Sequence, residues 1–207
     1  MMTSDVDLEL IVRAKRGDLS AFGELVSTYQ SLVINFCYRM LLNREDAEDI
    51  AQETFLRAFA AIGAFQPKAK FSTWLLTIAK NLSLNFLRNK RKRGQYVDST
   101  NASEAERRGV DFVRVDNPEP DHVLLQNERA EWVHNALQGL SDTHRTILIL
   151  RSFEDMTYDE IAKIMGCRKG TVKSRLSRAR DHLREILLKQ EMAVHYGMRD
   201  REQDGEQ

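Results

Sequence analysis

Between residues 20 and 41 the apolar side chains fall at intervals of three and four: Phe22, Leu25, Val26, Tyr29, Leu32, Val33, Phe36 and Met40. That spacing gathers them into one stripe on a helix of 3.6 residues per turn, whereas a strand would scatter them over both its faces. It predicts a long α-helix behind an N-cap at Ser20, preceded by a shorter helix around Leu10, Ile11 and Ala14. The rhythm recurs twice. Asn43 can cap a helix whose inward stripe is Ala47, Ile50, Ala51, Phe55, Ala58 and Ile62. Ser72 or Thr73 can cap a third, with Trp74, Leu75, Ile78, Ala79, Leu82 and Phe86 inward. With only 10 Gly and 3 Pro in 207 residues, few of the turns that strands need are present, and the expected fold class is all-α.

Periodicity lapses over residues 94–120, which hold two of the three prolines and no sustained stripe, the composition of a linker. Leu125, Trp132, Val133, Ala136 and Leu137 restart a helix that Gly139 ends, and Ser141 can cap the next, with Ile147, Leu148 and Leu150 inward. Thr157 followed three residues later by Glu160 is a capping-box pattern. It opens a short helix with Ile161, Ala162 and Met165 inward, which Gly166 stops. A last helix buries Val172, Leu176, Ala179, Leu183 and Ile186. The expected organisation is a helical bundle over 5–95, an acidic flexible linker over 96–126, a second helical module over 127–190 and a polar, disordered tail over 191–207.

Charge is balanced overall, 31 Lys and Arg against 31 Asp and Glu, but not locally. Residues 41–54 carry a net charge of minus four, 66–97 plus eight, 98–131 minus five and 163–184 plus seven. A uniformly basic nucleic-acid coat is excluded, and two separate basic blocks remain. The opening MMTSDVDLEL is acidic where a secretory leader is basic, and no apolar run approaches the roughly 18 residues that span a bilayer. Cys37 and Cys167 lie too far apart for a zinc-binding pair and are too few for a disulfide framework. A cytoplasmic protein with no membrane insertion is expected.

The second basic block has the layout of a helix-turn-helix: a short capped helix, a turn containing Gly166, and a longer basic helix. With Val172, Leu176, Ala179 and Leu183 inward, the opposite face carries Ser174, Arg178 and Asp181, flanked by Ser177. These side chains can reach base edges. Lys173 and Arg175 lie to either side, and Lys169 near the helix start, where contacts fall to phosphate. In the first block the outward stripe is Thr77, Asn81, Asn85 and Arg88, and Asn81 to Arg88 spans about 10 Å at 1.5 Å per residue. Asn amides both donate to and accept from a base edge, and the NKRKR run beyond supplies backbone attraction. Either block alone would also suit a solvated helix face, and Phe71 and Trp74 suit core positions better than base-stacking ones. The acidic stripe Glu45, Asp46, Glu48, Asp49, Gln52 and Glu53 is a solvated face or a surface for a basic partner; with no His nearby it is a poor metal site. The five His form no metal cluster, and no nucleophile elbow, phosphate loop or dinucleotide fingerprint occurs, so neither enzyme chemistry nor a cofactor is expected.

Three segments resemble a known family in order and spacing. DAEDIAQETFLRAF (46–59), KFSTWLLTIAKNLSLNFLRNKRKR (70–93) and MTYDEIAKIMGCRKGTVKSRLSRARDHLRE (156–185) are similar to the extracytoplasmic-function sigma factors of bacterial RNA polymerase, over roughly residues 8–188. The resemblance implies that the first module, sigma region 2, docks on core polymerase and binds the minus-ten element. The second module, region 4, then reads the minus-thirty-five element. It implies that Asp49, Gln52 and Glu53 contact the polymerase beta-prime subunit, and that Lys80, Asn81, Asn85 and Arg88 contact minus-ten DNA. The loop Phe65–Phe71 matches one that receives a flipped base. Lys169, Thr171, Lys173, Ser174, Arg175, Ser177 and Arg178 align with the region 4 reading helix, with Ser177 standing where some relatives carry a larger base-touching residue. Implied partners are core polymerase through its beta-prime and beta subunits, promoter DNA and an anti-sigma factor. The two elements lie about 25 base pairs apart, roughly 85 Å. The 96–126 stretch, about 30 Å across as a relaxed coil, would have to be drawn towards its extended reach of about 105 Å. Two other readings compete: a dimeric helix-turn-helix regulator acting without core polymerase, and a decoy that sequesters an anti-sigma factor.

Overall fold

The computed structural model describes residues 5–94, 133 and 135–203, with residues 191–203 described as backbone. Among the described residues, the α-helices with defined bounds are, in order, α1 Asp5–Lys15, α2 Leu19–Leu41, α3 Arg44–Ala61, α4 Phe71–Lys92, α5 Asp142–Ser152, α6 Tyr158–Met165 and α7 Lys169–Gln203, and residues 135–138 before α5 are also helical. A 3₁₀ turn, Ile62–Ala64, follows α3, and no strand occurs among the described residues. The expected linker, residues 96–126, lies outside the described residues.

In the first module α2 is the central element. Leu25, Val33, Phe36 and Met40 of α2 are fully buried, as are Leu75, Leu76 and Ala79 of α4. Against them α3 presents Ala47, Ala51 and Ala58, small side chains that let the helices approach closely. The α3 stripe is turned slightly from the one expected. Ile50 and Phe55 are half-buried, while Thr54 is fully buried, its hydroxyl donating to Ile50 O at 2.7 Å. A hydroxyl that bonds back to the preceding turn brings no unmet polar atom into the core. In α4 the buried set likewise includes Thr73, Leu76, Ser83 and Leu87, with Trp74, Ile78 and Phe86 half-buried.

Two expected helix starts are corrected. The cap of α2 is Asp18, not Ser20: its carboxylate accepts from Ser20 N at 3.0 Å and Ala21 N at 3.1 Å and is paired with Arg13 at 2.9 Å. These bonds, that to Ala21 N first, hold its carboxyl below the usual range, and a full negative charge suits the positive helix terminus better than a hydroxyl. Helix α4 starts at Phe71 with no side-chain cap, Ser72 and Thr73 lying inside its first turn. Burial of Phe71 fixes this start: its ring lies 5.4 Å from Tyr29, 5.5 Å from Phe65 and 5.5 Å from Trp74. Packed aromatics outweigh one cap bond. Asn43, Ser141 and Thr157 cap as expected, Thr157 and Glu160 forming a complete capping box.

In the second module Ile147, Ile149, Leu150, Ile161, Val172, Leu176 and Ala179 close one core. Ile164 rather than Met165 is the buried residue near the end of α6. Gly166 ends α6 with φ +61°, a left-handed conformation that lets Cys167 N return to Ala162 O at 3.0 Å. The backbone of α7 runs on to Gln203, past the start of the expected polar tail.

The modules are in contact. Helix α5 packs on α2 and α6 on α4. Arg145 of α5 is 1% exposed and donates to Leu137 O at 2.9 Å, Gln138 O at 3.1 Å and, across the boundary, Met40 O at 2.8 Å. It thereby satisfies the Met40 carbonyl at the negative end of α2 together with carbonyls of residues 137 and 138, which a guanidinium fork does well.

Candidate nucleic-acid interface

On α7 the inward Val172, Leu176 and Ala179 leave Lys169, Lys173, Ser174, Ser177 and Arg178 exposed, with Thr171 and Arg175 at the margin. The Gly166 turn that ends α6 sets where this helix begins. Lys173 and Arg178 have no ion-pair partner among the described residues. Lys169 is tied to Asp159 of α6 at 2.7 Å, and the Ser174 hydroxyl donates to Thr171 O at 3.1 Å. The sequence pattern did not bring out His144 of α5, whose ring meets that of His182 at 5.0 Å. Burial first, then His182, Arg178 and Arg175, push the His144 pKa down. Only the tertiary packing of α5 on α7 joins the two histidines.

On α4 the expected stripe is a real surface: Asn81, Asn85 and Arg88 are exposed and Thr77 is half-buried. Arg88 donates to Asn85 Oδ1 at 2.9 Å, leaving the amide nitrogen of Asn85 as a donor. Lys80 is placed differently from its three neighbours. It is half-buried against the second module, with Nζ donating to Ile164 O at 2.8 Å, and burial lowers its pKa. Several other bases of this block are also engaged. Lys70 pairs with Glu160 at 2.8 Å, Lys90 with Asp46 at 2.8 Å, and Arg91 grips both oxygens of Asp142 at 2.9 and 2.6 Å. The net charge of plus eight counted in the sequence is therefore partly neutralised within the chain. In the loop that follows α3, Phe65 and Phe71 are buried against each other, while residues 66–68 are exposed.

The acidic stripe of α3 divides. Asp46, Glu48 and Glu53 pair with Lys90, Arg44 and Arg57, whereas Asp49 and Gln52 are exposed. Beside them α2 and α3 form an apolar groove of about 460 Å³, lined by Leu19, Phe22, Val26, Phe55, Leu56 and Phe59, with Gln52 and Glu48 at its edge. Leu19 is 70% and Leu56 58% exposed. The sequence held a signal for this groove, since Leu19, Leu56 and Phe59 are apolar yet fall off the inward stripes. No group of His, Cys, Asp and Glu suited to hold a metal occurs among the described residues. No described helix is long and apolar enough to cross a membrane.

Fold and surfaces together define a two-module helical DNA-binding protein with a helix-turn-helix in its second module. The Sigma-70 region 2 family matches residues 25–93, and the Sigma-70, region 4 family matches residues 130–183. The chain is 37% identical over 187 residues to the RNA polymerase sigma-H factor of Pseudomonas aeruginosa, covering 90% of this chain and 96% of that protein. It is 36% identical to the ECF RNA polymerase sigma factor SigW of Bacillus subtilis, covering 86% of this chain and 94% of that protein. Among solved structures it is similar to the sigma factor RpoE of Bartonella quintana, solved with the anti-sigma factor NepR. That match has a TM-score of 0.59 and 27% identity, covering 82% of this chain and 98% of that one. The chain belongs to the extracytoplasmic-function sigma factors of the sigma-70 family. Its function is to direct promoter-specific transcription.

Proposed function

We propose that the three surfaces divide the work of promoter recognition in the following way. Asp49, Gln52 and Glu53 on α3 dock on core polymerase. Lys80, Asn81, Asn85 and Arg88 on α4 bind minus-ten DNA, and Lys169, Thr171, Lys173, Ser174, Arg175, Ser177 and Arg178 on α7 bind the minus-thirty-five element. The observation that carries this reading is the pairing, in one chain, of an exposed Asn81–Asn85–Arg88 stripe on α4 with an exposed basic reading face on α7. The protein performs no covalent chemistry of its own and works in the cytoplasm beside polymerase. The likeness to RpoE bound to NepR supports an anti-sigma factor as a further partner. A helix-turn-helix regulator acting without polymerase would have no use for the α3 surface.

Run-off transcription with purified core polymerase on a promoter library, with and without this chain, tests the reading. Addition of the chain should select a defined promoter class. The double variant Asp49→Lys, Glu53→Lys should stay folded, since both side chains point away from the core. It should bind core polymerase more weakly, as loss of a partnered interface charge costs about 2–5 kcal/mol. Unchanged core affinity would place the docking surface elsewhere.

A further inference from the structure

Helix α1 lies outside the segment that matches Sigma-70 region 2, residues 25–93, yet it is fastened to both ends of the loop that leads into α4. At the first end, Lys15 donates through Nζ to Phe65 O at 2.6 Å. At the second, the buried carboxylate of Asp7 accepts from the Tyr29 hydroxyl at 2.7 Å, and the Tyr29 ring meets Phe71 edge-on at 5.4 Å. Burial, and then Asp7, push the Tyr29 pKa up, so the phenol stays a donor. The buried rings of Phe65 and Phe71 also meet each other at 5.5 Å, and Trp74 lies 5.2 Å from Phe65. Arg13 ties the end of α1 to Asp18 at 2.9 Å, so Lys15 works from a fixed support. Ring packing fixes where the two ends lie. The Lys15 bond fixes the plane of the Phe65 peptide, from which the exposed Gln66, Pro67 and Lys68 set out. Pro67 locks its own φ and restricts Gln66 to extended backbone, so the direction given at Phe65 carries through to Lys68.

We propose that Lys15 and Asp7 of α1 are positioning residues for minus-ten recognition, holding the two ends of this loop so that residues 66–68 meet the DNA strand beyond the part that Asn81 reads. The proposal rests on the assignment of α4 to minus-ten DNA. Asn81 lies ten residues beyond Phe71, about 15 Å along the helix at 1.5 Å per residue. A strand lying along α4 and touching both therefore presents different nucleotides to them, up to about four stacked steps apart at 3.4 Å each. At the loop, the Gln66 amide can donate to and accept from a base edge, and the Lys68 ammonium suits phosphate. A loop freed at one end spends a smaller fraction of its time in the binding geometry, and apparent affinity falls by that fraction.

The test uses the full-length protein, free and reconstituted with core polymerase. Lys15 is exposed, so Lys15→Met should keep the fold, checked by its denaturation midpoint. Lys15→Arg keeps a cationic donor, and Arg16→Met removes a neighbouring exposed charge as the control. In the free protein, hydrogen exchange over residues 66–70 should quicken in Lys15→Met while that of α2 is unchanged. The complex is then titrated with single-stranded oligonucleotides carrying the minus-ten strand of a promoter selected in run-off transcription, each lacking one base. With the freed loop competent about a tenth of the time, Lys15→Met should bind the intact strand about tenfold more weakly. It should also become indifferent to one base whose loss weakens the parent. Lys15→Arg should restore both properties, and Arg16→Met should disturb neither. Tyr29→Phe, which cuts the tie to Asp7, should erase sensitivity to the same base, and Asn81→Ala to a different one. Unchanged exchange in Lys15→Met would overturn the anchoring of the loop. Faster exchange with the parent's base-loss profile would overturn the positioning role. If Asn81→Ala alone leaves the profile unaltered, the assignment of α4 has failed and the loop's role stands; if Lys15→Met leaves it unaltered too, both have failed.

Discussion

Arg178 and Lys173 show how far a single position on a helix decides a role. Both are exposed on α7, but Arg178 projects opposite buried Val172 and Leu176, and Lys173 lies to one side. Arg178→Ala should relax preference at one base of the minus-thirty-five element, by about 1–3 kcal/mol for a lost bidentate contact. Lys173→Ala should weaken all sequences alike and reduce the salt dependence by about one charge. Binding measured across a panel of element variants at several salt concentrations separates the two, and identical specificity profiles would show the face to be misassigned. The carboxylates at the module boundary differ as sharply. Burial pushes Glu160 up, but the bonds from Lys70 and Thr157 outweigh it and hold its carboxyl at about 2. Burial raises Glu154, and Arg39 offsets this only in part.

At the scale of elements, α6 depends on its first turn more than its longer neighbours do, being only eight residues long. An isolated helix of that length is unstable in water, so its caps and its packing must hold it. Thr157→Ala should cost about 1 kcal/mol, read as a lower denaturation midpoint. The acid response of α6 follows from Glu160. Its folded pKa of about 2 lies below its ordinary value of 4.5, so the stabilisation is complete above pH 4.5 and is lost as pH falls towards 2. Glu154 acts in the opposite sense: burial penalises its charged form in the folded chain, and that cost is relieved as pH falls towards the carboxylate range. Hydrogen exchange at α6 should therefore show protection held or increased just above the carboxylate range and lost below it. In Glu160→Gln the loss at low pH should be largely absent. Monotonic loss of protection from neutral pH downward would contradict the assignment of both groups.

At the scale of the whole molecule, the proposed assignment of the two DNA surfaces puts the modules apart on a promoter, whereas they are in contact in this structure. Deleting about fifteen residues between positions 98 and 116 would cut the extended reach of the 96–126 stretch to about 55 Å, short of the roughly 85 Å between the elements. Each module should still fold, while initiation on a promoter of normal spacing should fall; full activity would refute the spanning role.

The sequence by itself determined the helices, the two modules and the polar stripes that α4 and α7 leave exposed. Period and capping are local properties, set by residues three and four apart such as Thr157 and Glu160. It misjudged the starts of α2 and α4, where Asp18 brings a full charge and Phe71 an aromatic cluster, and only the latter needs distant residues to explain it. It could not show that Lys80 differs from Asn81, that Arg145 reaches Met40, or that Arg39 and Glu154 meet 115 positions apart in the chain. Those facts belong to tertiary structure because each is set by the docking of one finished module on another. The partners are chosen by shape and desolvation across a boundary that no periodicity within either segment records.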